Sequence, residues 1–198
     1  MLDRFHGGFL HAGSLFAPER TSPIEGFRYE PGFLSEAEEA DLLRDISELP
    51  LKAAPYKQYL SRRRIVSFGS EYDFSSRILR PGQPIPAFLF PLREKAGRWT
   101  DIDEKLFVHA LVTEYDEGTP LGWHRDTPEF GTIVGVSLGG TARMRFRRWP
   151  PQKGERIFDL ELEPRSAYVL ADEARWGWQH SIAPTRQLRW SITFRTLK

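Results

Sequence analysis

Two histidines and an aspartate have the residue types and the spacing that could hold one metal ion. His124 and Asp126 stand two positions apart, and residues i and i+2 of an extended segment face the same side. His180 offers a second imidazole from further along the chain. Two imidazoles and one carboxylate on one face of a metal leave positions open, which is how non-haem Fe(II) centres admit a co-substrate and O₂. The simpler alternative is a hydrogen-bonded loop pair and a buried His180 paired with a backbone carbonyl.

The segment 189–195 alternates polar and apolar side chains, a pattern typical of a half-buried strand. Arg189 and Arg195 lie on its polar face, roughly 20 Å apart at about 3.3 Å per residue, and their long side chains can close most of that distance. A guanidinium fork suits a carboxylate, so the two could hold the ends of a small dicarboxylate. The alternative is an exposed strand with solvated charges.

These motifs, in this order, resemble the AlkB family of Fe(II)/2-oxoglutarate-dependent dioxygenases. The resemblance rests on His124-Arg125-Asp126, on His180 and on the Arg-x5-Arg spacing from Arg189 to Arg195. Upstream, residues 113–118 read Thr-Glu-Tyr-Asp-Glu-Gly and are similar to that family's Asn-x-Tyr-x-x-Gly segment. The resemblance covers residues 106–198 and extends more loosely to residues 62–69.

The resemblance implies an oxidative metal centre. His124, Asp126 and His180 would be the iron ligands and the catalytic set, with Fe(II), 2-oxoglutarate as co-substrate, and O₂. The metal and the co-substrate would carry the hard step, while the protein would fix geometry and exclude water.

The resemblance also implies the residues that bind 2-oxoglutarate. Arg189, helped by Tyr115, would take its distal carboxylate, and Arg195 would lie near the carboxylate next to the keto group. Thr113 stands where many family members carry Asn, and its hydroxyl offers fewer donors. Ser191 stands where some members carry Asn and is a further candidate contact.

The elements that must position these residues are two helices followed by short strands. Ser35 and Glu38 form a capping box that begins a helix ending before Pro50, and a second helix is predicted from Pro86. The later β-type runs, which turns separate, are 106–115, 132–138, 142–149, 157–162, 166–170 and 189–197. Such strands suggest a sandwich, jelly roll or barrel, and the resemblance implies a double-stranded β-helix.

The predicted fold class is therefore α+β, mainly β, in a single domain over 1–198. Residues 1–105 would supply the helices and the substrate-recognition region, with 1–32 as coil or a short strand, and residues 106–198 would form the β-helix core.

Composition excludes several classes of protein. The 198 residues carry a formal net charge of +1 and no cysteine, which excludes a disulfide scaffold and a thiolate metal site. Uncharged stretches such as 130–142 are all shorter than the ~20 residues of a membrane span. Asp3 and Arg4 stand where a signal peptide needs other residues. We expect a cytoplasmic monomer with no membrane partner.

Two basic segments suggest the substrate. Residues 52–64 hold five Lys or Arg and no acid, and residues 141–156 hold six against one acid. With the resemblance, they favour alkylated single-stranded or flipped-out nucleic acid as partner, for repair of alkylation or reversal of RNA modification by oxidative demethylation. The candidate substrate contacts are Tyr59, Arg62, Arg64, Phe68 and Arg125. The alternatives are solvated basic faces, the same chemistry on a protein or small molecule, or a non-catalytic binding module.

Overall fold

A computed structural model describes residues 24–56, 59–73 and 78–198, which form two antiparallel sheets and three helices. The strands are β1 (Phe27–Glu30), β2 (Lys52–Tyr56), β3 (Tyr59–Asp73), β4 (Ile78–Pro81), β5 (Phe107–Tyr115), β6 (Leu121–His124), β7 (Phe130–Gly139), β8 (Ala142–Arg148), β9 (Phe158–Leu162), β10 (Ala167–Leu170), β11 (Trp178–Ile182) and β12 (Arg189–Leu197). The helices are α1 (Glu36–Ser47), α2 (Phe90–Thr100) and α3 (Asp172–Trp176).

Neighbouring strands in the large sheet run β1-β10-β7-β12-β5-β3-β2, with β4 paired to β3, and the small sheet runs β6-β11-β8-β9. Ile133 of the large sheet and Phe146 and Ile182 of the small sheet belong to one buried cluster, so the two sheets pack face to face. This is a double-stranded β-helix of mainly β class, and the predicted fold class is confirmed.

A second buried cluster packs the helices on the outer face of the large sheet. Leu42 of α1 and Leu92 of α2 share it with Val112 of β5 and Ile192 of β12. Because strand side chains alternate between faces, the even-numbered residues 110–114 of β5 and 190–194 of β12 face the helices, and the odd-numbered residues 109–115 and 189–195 face the small sheet. The helices therefore fix the strands that carry the polar residues predicted for the site.

Strand β12 differs from its prediction in one respect. It pairs with β5 on one side and β7 on the other, and both of its faces are buried. Arg189 is 1% exposed and Arg195 is 7% exposed. The alternation of polar and apolar residues predicts the strand but not its burial, because a polar strand face can lie against water or against a polar cavity. The exposed-strand alternative is therefore wrong.

The helix predictions are confirmed apart from one boundary. The Glu38 backbone N–H donates to Ser35 Oγ at 3.2 Å and the Ser35 N–H donates to Glu38 Oε2 at 2.7 Å, which completes the capping box. Pro86 precedes a 3₁₀ turn, and α2 begins at Phe90, with Pro91 in its first turn, where a missing N–H costs nothing. No helix in the described part of the chain is long and apolar enough to cross a membrane.

Each of the six predicted strands matches an observed strand, within about two residues at either end. The hairpin of β2 and β3 was not predicted, and neither were β6, β11 and α3. Strand β4 was not predicted either. Apart from β3, which has fifteen residues, these strands have four or five residues and α3 is a single turn, which is too short to show a period. Residues 1–23, part of the predicted N-terminal coil, lie outside the described residues, and β1 is the short strand that follows them.

Candidate metal centre and co-substrate pocket

The pairing of two short strands brings the predicted imidazoles together. His124 on β6 lies directly opposite His180 on β11 in the antiparallel register. Side chains at such positions project from the same face, and the two ring centroids are 4.2 Å apart. His124 Nδ1 is 2.9 Å from the Gly122 carbonyl oxygen, a bond that requires the proton on Nδ1 and leaves Nε2 free as a ligand.

Asp126 completes the set from the extended segment that follows β6. Its Oδ2 is 3.7 Å from His180 Nε2. The ligand atoms of His124, Asp126 and His180 all lie within 4.8 Å of one another, close enough to contact one ion. The predicted ligand set is thus assembled between the two sheets. Two imidazoles and a carboxylate fit a divalent first-row metal with open positions.

Burial and neighbouring charge keep Asp126 ionised and His180 neutral. Burial alone would raise the pKa of Asp126, but the Arg195 guanidinium, with Nη2 3.3 Å from Oδ1, holds that pKa well below its usual value. Burial, with His124 beside it, lowers the pKa of His180 to about 3. An ionised carboxylate and a neutral imidazole are what a metal binds, so loading requires little proton release.

Arg195 is itself held by a residue for which the sequence analysis gave no site role. His109 lies opposite Arg195 in the β5–β12 register, and its Nδ1 is 3.1 Å from Arg195 Nη1. Burial and the adjacent Arg195 lower the pKa of His109 to about 3. The neutral ring therefore accepts a hydrogen bond from the guanidinium, and the hydrogen-bonded chain His109–Arg195–Asp126 orients the carboxylate ligand.

A second buried arginine holds the loop that follows Asp126. Arg175 of α3 is 3% exposed. It donates from Nη2 to the carbonyls of Thr127 at 2.7 Å, Phe130 at 2.9 Å and Asp126 at 3.3 Å, and from Nε to Gly131 at 3.1 Å. Burial lowers its pKa. Four carbonyl contacts to residues 126–131 fix the backbone at a metal ligand.

The pocket beside the metal ligands contains an arginine that lacks part of its hydrogen bonding. Arg189 Nε donates to Ser137 Oγ at 3.0 Å, while Nη1 is buried and has no partner among the described residues. The Tyr115 ring lies 5.0 Å from the guanidinium carbon. An unpaired buried charged donor costs several kcal/mol. The pocket therefore fits an anion at this end, as a 2-oxoglutarate carboxylate would supply.

The remaining predicted co-substrate residues lie in the same pocket. Thr113 and Ser191 are directly opposite each other on β5 and β12, and both are buried. Thr193, which the sequence analysis did not name, joins them with a buried hydroxyl that has no partner in the described structure. Tyr168 also lines the pocket, and burial raises its pKa, so the phenol stays neutral. The other lining residues are Leu111, Leu121, Ile133, Met144 and Ile182.

Arg62, Arg64 and Phe68, the β3 candidates for substrate contact whose side chains are described, do not line this pocket. Phe68 belongs to the buried cluster under the helices, so it is no longer a candidate for substrate contact. Arg64, on the same strand face, donates to both carboxylate oxygens of Glu114 at 2.6 and 2.8 Å. Arg62 is exposed, and the side chain of Tyr59 falls outside the described part of the structure.

Arg125 is the substrate candidate that lies at the metal ligands. It stands between His124 and Asp126 and is exposed. Its guanidinium lies 4.9 Å from the centre of the Trp149 ring, and Nη1 is 3.3 Å from the Trp176 carbonyl oxygen. A cation is thus held at the rim of the site.

Facing antiparallel sheets, a two-histidine-one-carboxylate set and an unpaired buried arginine beside it define a non-haem iron oxygenase that uses an anionic co-substrate. In agreement, residues 26–195 match the family model of the 2OG-Fe(II) oxygenase superfamily. The chain belongs to this superfamily as an AlkB-like member, and it is a dioxygenase that uses Fe(II), 2-oxoglutarate and O₂.

Several proteins are similar in sequence to this chain. Uncharacterized protein L905 of Acanthamoeba polyphaga mimivirus is 27% identical over 92% of this chain and 90% of its own length. The alkylated DNA repair protein ALKBH8 homolog of Arabidopsis thaliana is 30% identical over 80% of this chain. The match spans about half, 51%, of the length of the Arabidopsis protein. The probable RNA/DNA demethylase ALKBH6 of Danio rerio is 27% identical over 78% of this chain and 68% of its own length.

The fold is also found in the solved structure of OsALKBH1. That structure superimposes with a TM-score of 0.69 at 17% identity, over 86% of this chain and 96% of the other. It supports the double-stranded β-helix assignment.

Replacing Asp126 should abolish 2-oxoglutarate turnover. Asp126→Ala removes one of three ligands, so we expect the variant to lose Mn(II) binding, measured by isothermal titration calorimetry. Its circular dichroism spectrum should keep the strand signal. Asp41→Ala, at an exposed carboxylate on α1, should bind metal normally. Tight Mn(II) binding by Asp126→Ala would remove Asp126 from the ligand set.

Replacing Arg189 should weaken the binding of 2-oxoglutarate rather than the binding of the metal. Loss of a charged hydrogen-bond partner costs about 1.5–3 kcal/mol, so Arg189→Met should raise the KM for 2-oxoglutarate roughly 10- to 150-fold. Arg98→Met, at an exposed arginine on α2, is the control. Succinate formation over a range of 2-oxoglutarate concentrations measures both, and an unchanged KM would contradict the assignment.

Replacing Arg175 with lysine should loosen the loop at Asp126. An ammonium cannot reach four carbonyls at once, and loss of partners behind a ligand costs about 10- to 100-fold in metal affinity. Mn(II) titration of Arg175→Lys measures this against Arg148→Lys, an exposed arginine nearby. Equal affinities for the two variants would show that Arg175 does not position the ligand.

Proposed function

We propose that this dioxygenase removes N-linked alkyl groups, methyl above all, from nucleobases in single-stranded or flipped-out nucleic acid. The observation that carries the proposal is Arg125, an exposed guanidinium between two metal ligands. It has no carboxylate within 4.0 Å among the described residues and could meet a phosphate beside the pocket. The names of the Arabidopsis and zebrafish relatives, a DNA repair protein and an RNA/DNA demethylase, support the same substrate class.

Within this function, the protein's own residues bind and orient the reactants. Arg189, with Tyr115 against its guanidinium, would hold the distal carboxylate of 2-oxoglutarate, and Thr113 and Ser191 offer hydroxyls between that end and the ligands. Arg195 would lie near the other carboxylate while it orients Asp126. The binding energy spent here fixes the geometry of the reaction.

The pocket would also limit the access of water to the reactants. Five apolar side chains line it beside a larger polar set, and a dry site protects the reaction from side products. When bound, Fe(II) and 2-oxoglutarate supply an oxidation in which one O₂ oxygen enters a substrate C–H bond and the other enters succinate, with release of CO₂. A methyl group on a ring nitrogen becomes N–CH₂OH, which breaks its C–N bond to give N–H and formaldehyde.

Repair of alkylated DNA, a cytoplasmic location and a monomeric state stay predictions from the sequence.

The proposal is tested by turnover with a defined oligonucleotide. A single strand carrying one N1-methyladenine should raise O₂-dependent succinate formation and release one formaldehyde per succinate. The unmethylated oligonucleotide should give succinate without formaldehyde, and Asp126→Ala should give neither. If the rate of O₂-dependent succinate formation does not change with the methylated oligonucleotide, the proposal is contradicted, and a protein or small molecule becomes the candidate substrate.

A further inference from the structure

The outer face of the small sheet carries a row of arginines. Along β8, Met144 and Phe146 are fully buried between the sheets, while Arg143, Arg145 and Arg147 alternate with them and project outward. This alternation follows from the strand period. The outward row is the surface that opposes the metal site across the same sheet.

A tryptophan holds two of these arginines in place. Trp123 of β6 projects to the outer face, and its ring centre lies 5.1 Å from the Arg145 guanidinium carbon and 4.6 Å from that of Arg147. Strand β11 runs between β6 and β8. From it, Ser181 Oγ accepts from Arg145 Nε at 3.2 Å and Gln179 Oε1 accepts from Arg147 Nε at 2.8 Å.

Neither arginine is neutralised. Among the described residues, no carboxylate lies within 4.0 Å of Arg145 or Arg147, whereas Arg143 pairs with Asp159 and Arg148 with Glu173. The hydrogen bonds of Arg145 and Arg147 use Nε alone, so the terminal nitrogens of both forks lack partners in the described structure. A fork whose plane is already fixed loses little entropy when it binds an oxyanion.

The position of this pair relates it to the metal site. Trp123 immediately precedes the ligand His124, and Gln179 and Ser181 flank the ligand His180. Arg125 lies one residue beyond His124, stacked on Trp149. The three unneutralised cations Arg125, Arg145 and Arg147 thus extend from the pocket rim onto the outer face.

We propose that Arg145, Arg147 and Arg125 form a phosphate-binding surface for the polynucleotide backbone that flanks the target nucleotide. This inference rests on the proposed function and locates the part of the polynucleotide that lies outside the pocket. The backbone positions of Arg145 and Arg147 are roughly 6.6 Å apart along β8 at about 3.3 Å per residue, and each fork has terminal nitrogens without a partner among the described residues, so each can take its own phosphate. Trp123 acts as a rigid support for the forks.

The test compares charge-matched double variants. Arg145→Gln/Arg147→Gln removes two cations and keeps a planar amide against Trp123, and Arg44→Gln/Arg98→Gln removes two exposed cations from the helices on the other side. Fluorescence anisotropy would give the Kd of a single-stranded oligonucleotide over a range of salt. For single strands, log Kd changes by about 0.7 per phosphate contact for each tenfold change in salt.

The expected result is a salt slope lower by about 1.4 for the β8 pair and unchanged for the helix pair. Turnover of a free methylated nucleoside should be equal in all three proteins, which also shows that the β8 variant folds. Arg145→Lys/Arg147→Lys should keep the slope. If the β8 variant has the same salt slope as the helix variant, the proposed phosphate-binding surface is wrong, and Arg145 and Arg147 only pack against Trp123. If the wild type binds the oligonucleotide but releases no formaldehyde, the proposed function fails instead.

Discussion

The whole site depends on one strand being buried on both faces. β12 is paired along both edges, so its backbone is satisfied and its side chains alternate between an apolar cluster and a polar pocket. Ile192 and Phe194 anchor it beneath the helices, and that anchor fixes Arg189 and Arg195 on the other face. Burying two guanidiniums is costly unless anions meet them. One anion is Asp126, and the other must arrive with the co-substrate.

Charge in the pocket explains why metal and co-substrate belong together. Without them, Arg189, Arg195 and Asp126 sum to one positive charge, which opposes a divalent cation at short range. A dianionic dicarboxylate cancels the added metal charge and gives the unpaired Nη1 of Arg189 a partner. His109 keeps this balance, because burial and Arg195 hold its pKa near 3 and prevent a further positive charge. With both ligands bound, the sum of charges stays at one positive charge, whereas the metal alone would raise it to three.

The sequence predicts the parts of this site that local spacing controls. His124 and Asp126 stand two apart, and Arg189 and Arg195 share one strand face, so their relation follows from strand geometry. His109 and Arg175 could not be found this way, since their partners lie 86 and 44–49 positions away. Phe68 and Arg64 share a basic, aromatic segment with Arg62, yet the face that a β3 residue occupies depends on its pairing with β5. Tertiary packing decided those cases.

The small sheet joins catalysis and recognition by strand alternation. On β6 the inward residue His124 follows the outward residue Trp123, and on β11 the inward residue His180 lies between outward Gln179 and Ser181. A shift of either strand by one residue would exchange the two sets. A shift of β6 would place Trp123 among the metal ligands, and a shift of β11 would turn Gln179 and Ser181 away from the forks of Arg145 and Arg147. The register that assembles the metal centre is therefore the register that presents the cations, so neither face can change its pairing without the other.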